Sequence, residues 1–97
     1  MQQTPSVRFI RTAHFQRAYR KLDERYRKLV KKALAQFVAE RTYPGLRVKR
    51  LQGTDKIWEM RAGRDIRITF EFKESQDGTS IVVLRNVGRH DPTLKNP

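Results

Sequence analysis

Two stretches of apolar residues at helical spacing predict a pair of helices near the start of the chain. The segment AHFQRAYRKL places four apolar residues on one face: Phe15, Ala18, Tyr19 and Leu22. The segment ERYRKLVKKALAQFVAER has a longer stripe, made of Tyr26, Leu29, Val30, Ala33, Leu34, Phe37 and Val38. Thr12 and Asp23 precede these segments and are the predicted N-caps. Because the link between the helices is so short, we expect an antiparallel helix hairpin.

A period of two residues replaces the helical period after Gly53 and predicts strands. KIWEMRA and RDIRITFEFKE alternate apolar and polar side chains, and Gly63-Arg64 between them is typical of a tight turn. SIVVLRNV predicts the last strand, which follows a hairpin turn at Asp77-Gly78 and ends at Gly88. SVRFIRT predicts a short first strand, and DPTLKNP a short irregular tail.

The order of these elements is strand, two helices and then three strands in a meander. It predicts an α+β fold: a small antiparallel sheet of about four strands, with the N-terminal helix hairpin packed on one face. Residues 1–97 are expected to form a single domain. Arg61 and Arg67 have outward parity on neighbouring strands, so the uncovered face of the sheet is expected to carry arginines and to bind anions.

Charge narrows the class of partner. The chain has 22 Lys and Arg against 10 Asp and Glu, a formal net charge of +12, which indicates an anionic partner: RNA, DNA, an acidic protein or a membrane surface. The chain has no cysteine, hence neither a disulfide framework nor a thiolate metal site. The sequence shows no secretory signal and no apolar run long enough for a membrane span, so the cytoplasm is the expected location.

Several segments, taken in order, resemble the toxins of the RelE/ParE superfamily of bacterial type II toxin–antitoxin systems. They are the helix hairpin, the step Arg50-Leu51-Gln52-Gly53, Trp58, Arg61, the strand Ile66-Arg67-Ile68 and the closing VGRH. The closing VGRH is similar to the V-G-x-H end of RelE-like ribonucleases that carry a terminal histidine. RelE-like members cleave mRNA in the ribosomal A site without a metal, and ParE-like members inhibit DNA gyrase. An antitoxin with an acidic or amphipathic segment neutralises both.

The resemblance implies a metal-independent mRNA endonuclease (an mRNA interferase) with no cofactor. Such cleavage needs a base for the 2′-hydroxyl, an acid for the leaving 5′-oxygen, and cations for the charge on the phosphorane. The fork of an arginine matches two phosphate oxygens. We therefore expect Arg61 and Arg67 to be catalytic, together with His90, the one plausible acid or base near neutral pH. Glu59 could serve as a general base, but an ion pair with a neighbouring arginine is the expectation.

Five further cations are expected to bind RNA phosphates: Arg47, Lys49, Arg50, Arg85 and Arg89. No metal ligand is predicted. The expected partners are mRNA, the ribosome and an acidic antitoxin encoded nearby, in a toxin–antitoxin hetero-oligomer, with no membrane involved. The tail after His90 has no aromatic residue, unlike several RelE-like enzymes. A ParE-like toxin that inhibits gyrase without catalysis, or a catalytically degenerate relative, is the alternative. A general nucleic-acid-binding module is a third interpretation.

Overall fold

The computed structural model describes residues 7–74 and 79–97, and the expected turn at Asp77-Gly78 lies outside them. Eight helices and strands occur in these ranges. In chain order they are β1 (Val7–Arg11), α1 (Ala13–Lys21), α2 (Glu24–Ala39), β2 (Lys49–Arg50), β3 (Trp58–Ala62), β4 (Ile66–Glu74), β5 (Ser80–Arg89) and α3 (His90–Lys95). A single 3₁₀ turn, Pro44–Leu46, lies between α2 and β2.

The helix hairpin begins where the sequence predicted. The Thr12 side chain accepts a hydrogen bond from the Phe15 amide at 3.1 Å and caps α1, and the Asp23 side chain accepts from the Arg25 amide at 2.9 Å and caps α2. Each cap satisfies a backbone donor that the first turn of a helix leaves free. Both N-cap predictions are confirmed.

The strands form one mixed sheet in the order β1-β5-β4-β3-β2. The α+β class with a helix pair on a small sheet is confirmed, but the sheet has five strands and is not wholly antiparallel. β1 lies parallel to β5, and β2 comes from the basic segment between the helices and the meander. A parallel neighbour needs a long connection, and nearly the whole chain separates β1 from β5.

An aromatic cluster joins the helix hairpin to the sheet. The Phe37 ring on α2 is 1% exposed, and its centroid lies 5.6 Å from that of Phe70 and 6.1 Å from that of Phe9. Met60, Ile66 and Ile68 complete the buried layer beneath the helices. The alternation predicted for β3 and β4 therefore points its apolar side chains to the helix layer and its polar ones to the opposite face.

The C-terminal segment packs on that opposite face. The expected irregular tail is instead the helix α3, and β5 continues one residue past Gly88 to Arg89. Thr93 of α3 is buried over Gly88, where a Cβ would come within 2.7 Å of the Thr93 hydroxyl oxygen. Only a residue without a side chain lets the helix approach this closely. None of the helices in residues 7–74 and 79–97 is long and apolar enough to cross a bilayer.

Candidate functional site

The face of the sheet away from α1 and α2 brings polar residues of four strands together in two rows. In the first row, Arg61 of β3 is the cross-strand partner of Arg67 on β4, which is opposite Gly88 on β5. The second row, two residues along the strands, contains Lys49, Glu59, Thr69 and Asn86. Directly opposed residues of a sheet lie close enough for their side chains to interact.

Glu59 is the most unusual residue of this face. It is 4% exposed, and its Oε2 is buried without a hydrogen-bond partner among the described residues. Its Oε1 lies 3.4 Å from Lys49 Nζ, so the ion pair expected for Glu59 is made with a lysine of β2 and not with an arginine. A buried carboxylate oxygen that lacks a partner is costly to stability and is typical of functional sites.

Arg67 lies beneath the surface and bonds to the backbone. It is 5% exposed, and its Nη1 donates hydrogen bonds to the carbonyl oxygens of Arg64 at 3.0 Å and Ile66 at 3.1 Å. Burial, followed by the charge of Arg61, lowers the pKa of Arg67. Two carboxylates oppose this shift, and a smaller contribution from Arg47 adds to it. Arginine still keeps its proton in proteins. Arg67 therefore places a permanent positive charge, largely shielded from water, beneath this face.

Arg61 is half-buried and reaches a cleft at the edge of the sheet. The cleft has a volume of ≈ 220 Å³, and Tyr43, Gly45 and Lys32 also line it. β2 pairs with Trp58 and Glu59 of β3, and within residues 7–74 and 79–97 the rest of β3 has no strand neighbour on this side. Arg61 is thus accessible from the edge, whereas Arg67 is enclosed.

His90 stands at the start of α3, beside the β3–β4 turn. Its backbone N–H donates to the Asp65 carbonyl at 2.9 Å, and its Nδ1 lies 2.8 Å from Asp91 Oδ1. The side chain is 53% exposed and borders a shallow cleft of ≈ 230 Å³. The hydrogen bond from His90, followed by its positive charge, lowers the pKa of Asp91. Arg67 bonds to the same turn through Arg64, so both candidates lie at one end of the face.

The five predicted phosphate ligands separate into two groups. Arg47 and Lys49 are both exposed, and Lys49 pairs with Glu59. Arg47 adopts a left-handed backbone with φ of 47°. Arg50 is exposed, opposite Trp58.

The remaining two cations interact with other parts of the protein. Arg85 forms an ion pair with Glu71, and its Nε donates to the Pro97 carbonyl at 3.3 Å. The guanidinium of Arg89 lies 5.9 Å from the centroid of the Tyr26 ring, on the helix side of the sheet. The charges of Arg47, Arg61 and Glu59 all act on Arg67, and Lys49 pairs with Glu59. Arg85 and Arg89 lie apart from this group.

Asn86 holds the C-terminal segment on this face, a role that the sequence analysis missed. Its side-chain Nδ2 donates to the Asn96 carbonyl at 2.8 Å, and its Oδ1 accepts from the Val87 amide at 2.8 Å. The signal in the sequence is an uncharged amide side chain in the interior of a strand that is rich in Ile, Val and Leu. In the ranges 7–74 and 79–97, no group of three or more histidine and carboxylate side chains is placed to hold a metal ion.

Three solved structures have a similar fold, and each has a low sequence identity to this chain. A YoeB/ParE toxin from Agrobacterium tumefaciens superposes with a TM-score of 0.68 at 13% identity, covering 84% of this chain and 97% of that one. RelE in the archaeal RelE–RelB complex from Pyrococcus horikoshii gives 0.64 at 14% identity, covering 92% and 98%. A mutant of E. coli toxin RelE in the free state gives 0.61 at 15% identity, covering 94% and 88%. No protein-family model and no curated protein matches the chain.

These similarities define the class of fold. The chain has the fold of these YoeB/ParE and RelE toxins, as the sequence resemblance predicted.

Proposed function

We propose that this protein is the toxin of a bacterial type II toxin–antitoxin system and that it is a RelE-like endoribonuclease that cleaves mRNA. The observation that carries the proposal is the buried Glu59 carboxylate, which has one oxygen without a partner and shares a sheet face with Arg61 and Arg67. The RelE/ParE fold and the net charge of +12 support the same conclusion. A protein that only binds RNA through cations has no need of a buried carboxylate there.

In the proposed reaction, Glu59 is the general base. It takes the proton of the 2′-hydroxyl, whose oxygen forms a bond to the adjacent phosphorus. Arg61 and the buried Arg67 stabilise the extra negative charge of the phosphorane, because their positive charges are fixed before the reaction begins. Lys49 forms the ion pair with Glu59 and binds a neighbouring phosphate. From the sequence, an ion pair was the expected role of Glu59 and general base was the alternative; the proposal takes the alternative.

His90 is the proposed general acid. The bond from phosphorus to the 5′-oxygen breaks as the imidazolium of His90 gives its proton to that oxygen. The products are a 2′,3′-cyclic phosphate and a free 5′-hydroxyl, so the proton lost to Glu59 is matched by the proton given by His90. The exposed position of His90 beside Asp65 leaves its Nε2 available to a bound strand.

The proposed partners are mRNA on the ribosome and an acidic antitoxin encoded nearby. One of the similar structures is a RelE–RelB complex, which supports an antitoxin for this chain as well. A chain with a net charge of +12 attracts an acidic segment that folds as it binds. We propose that the two form a hetero-oligomer in the cytoplasm.

Primer extension on mRNA after induced expression tests the enzymatic proposal. The expected result is new 5′ ends within translated mRNA from wild-type protein and none from Glu59→Gln. Cleavage that persists unchanged in Glu59→Gln contradicts the assigned base. Purified protein that inhibits gyrase supercoiling and leaves ribosome-bound mRNA intact contradicts the enzymatic activity as a whole.

A ParE-like toxin without catalysis is the second candidate, and one observation favours it. The guanidinium groups of Arg67 and Arg85 both interact with oxygens of the protein itself. Arg67 donates hydrogen bonds to two backbone carbonyls, and Arg85 pairs with Glu71 and donates to the Pro97 carbonyl. In this second candidate, the two arginines stabilise the sheet face through these hydrogen bonds and do not bind phosphate. The gyrase assay above distinguishes this candidate from the nuclease.

A further inference from the structure

A groove of ≈ 620 Å³ runs beside the short β2 edge, on the helix side of the sheet. Trp58 and Phe72 supply aromatic surface, and Tyr43 lines the groove after the end of α2. Arg41 and Arg47 also line it. None of the described residues that line the groove is Asp or Glu. Its volume falls within the range of about 300–1,000 Å³ that is usual for small-ligand sites.

The aromatic rings of the groove are held in place by their neighbours. Trp58 and Phe72 meet edge to face, with ring centroids 5.3 Å apart and an interplanar angle of 79°. The Arg41 guanidinium lies 5.3 Å from the centroid of the Phe72 ring. The ring of Tyr43, a residue that is 42% exposed, lies so close to Gly45 that a Cβ there would come within 2.7 Å of it. Glycine thus lets the tyrosine ring lie against the backbone while much of the residue stays exposed.

This combination of groups selects a flat, anionic ligand. Aromatic rings offer faces on which a nucleobase can stack, and arginines bind phosphates and also stack on planar groups. We propose that the groove binds one unpaired nucleobase of single-stranded RNA, with the adjoining phosphates on Arg41 and Arg47. The inference rests on the proposed function and adds a nucleotide subsite outside the catalytic face.

The groove is continuous with the candidate catalytic face. Trp58 directly precedes Glu59, and the two side chains point to opposite faces of β3. Tyr43 also lines the cleft that contains Arg61, and the charge of Arg47 acts on Arg67. β2 is only two residues long, so a strand of RNA that crosses this edge can occupy the groove and the catalytic face together.

Trp58 is the chain's one tryptophan, so its fluorescence reports on this groove. The test is a titration of the protein with an eight-nucleotide 2′-O-methyl RNA, which cannot be cleaved, and with versions that carry an abasic residue at each position in turn. We expect quenching of Trp58 emission by the intact RNA. We also expect affinity to fall about tenfold for one abasic position, together with loss of the quenching. Equal affinities for all versions, with Trp58 emission unchanged, would overturn the subsite.

Variants at exposed positions distinguish stacking of the base from binding of the phosphate. Tyr43→Ala is expected to reduce the affinity difference between the intact and abasic RNA. Arg41→Gln is expected to lower the slope of log affinity against log salt by about 0.7, the value for one phosphate contact on a single strand. Arg20→Gln, on the helix hairpin, is the matched control and should leave base-dependent quenching intact. If Tyr43→Ala binds both RNAs as the wild type does, the stacking assignment is wrong.

Two further outcomes keep this inference separate from the proposed function. Quenching that depends on the base, in a protein that cuts no RNA, supports the subsite and contradicts the nuclease. Cleavage without any change in Trp58 emission supports the nuclease and contradicts the subsite.

A glutamate-rich peptide that quenches Trp58 while RNA does not would overturn the inference and assign the groove to a protein partner.

Discussion

Lys49 Nζ lies 3.4 Å from Glu59 Oε1, and the two ends of this ion pair are in different environments. The side chain of Lys49 is 68% exposed, whereas that of Glu59 is 5% exposed. A mobile, hydrated ammonium group compensates only part of the cost of burying a carboxylate, and Glu59 Oε2 has no described partner. The pair therefore leaves one carboxylate oxygen available to accept a proton or a hydrogen bond from a ligand.

Replacing Glu59 by Gln is expected to separate function from stability. The amide keeps the shape of the side chain but cannot serve as a base, so RNA cleavage should fall by about 10²–10⁴-fold. The melting temperature should stay the same or rise, because a buried and incompletely paired charge is removed. Cleavage of a ribosome-bound mRNA and thermal unfolding measure the two effects.

Glu71→Gln is the matched control for that experiment. Glu71, on β4, is also a carboxylate of the polar face of the sheet, but it is paired with Arg85. Its replacement should weaken the ion pair and leave the rate of cleavage unchanged. Equal losses of cleavage in Glu59→Gln and Glu71→Gln would show that the carboxylates act through the overall charge of the face and that neither is the base.

Arg67→Ala is expected to destabilise the protein as well as inactivate it. The substitution leaves the Arg64 and Ile66 carbonyls without their buried donor, which should lower the free energy of unfolding by about 1–3 kcal/mol. Arg50→Ala, at an exposed edge position, should change it by less than about 0.5 kcal/mol. Urea unfolding measures both. An Arg67→Ala protein as stable as the wild type would mean that these hydrogen bonds make no net contribution to the free energy of unfolding.

Gly88→Ala should loosen α3 from the sheet. The new methyl group would come within 2.7 Å of the Thr93 hydroxyl oxygen, so the helix must shift, at an expected cost of about 1–3 kcal/mol. Thr93→Ala removes the obstructing hydroxyl and should restore part of that stability in the double variant. Hydrogen exchange at the α3 amides and urea unfolding of the single and double variants provide the measurement. If the two substitutions simply add, Gly88 and Thr93 are not in the predicted conflict.

The sequence predicted those features that depend on local periodicity. The two helical stripes, the caps at Thr12 and Asp23 and the shared outward parity of Arg61 and Arg67 are all local. The structure has each of them, except that Val38, the last residue of the second stripe, is exposed. β2 could not be predicted in this way, because a strand of two residues has no period. The parallel pairing of β1 with β5 depends on residues more than 70 positions apart.

The site was harder to predict than the fold, for two physical reasons. The register of β4 against β5 shifts between Thr69 and Phe70, so Thr69 pairs with Asn86 and Phe70 with Leu84, and Arg85 is the extra residue. Such a bulge changes which side chains share a face, and no local pattern marks it. The burial of Arg67 depends in addition on α3, which folds back over β4 and β5.

His90→Ala is expected to change the pH dependence of stability as well as the rate of cleavage. The His90 side chain is the main cause of the lowered pKa of Asp91, so its removal should raise that pKa toward the ordinary value of 3.8. In the wild type, a carboxyl group with a lowered pKa stabilises the fold above pH 3.8, and this contribution is lost as the pH falls through the lowered value. The variant should lack this contribution, while the backbone bond from residue 90 to Asp65 remains.

A carbon-detected NMR titration of the Asp91 carboxyl group, with urea unfolding at pH 5 and below pH 3, tests this prediction. The wild type should be the more stable protein at pH 5, where the Asp91 carboxylate is ionised, and the two proteins should converge in acid. RNA cleavage should be lost in the variant at every pH, because the proposed acid is absent. An unchanged Asp91 titration would mean that the bond between His90 and Asp91 does not persist in solution, and normal cleavage would remove His90 from the mechanism.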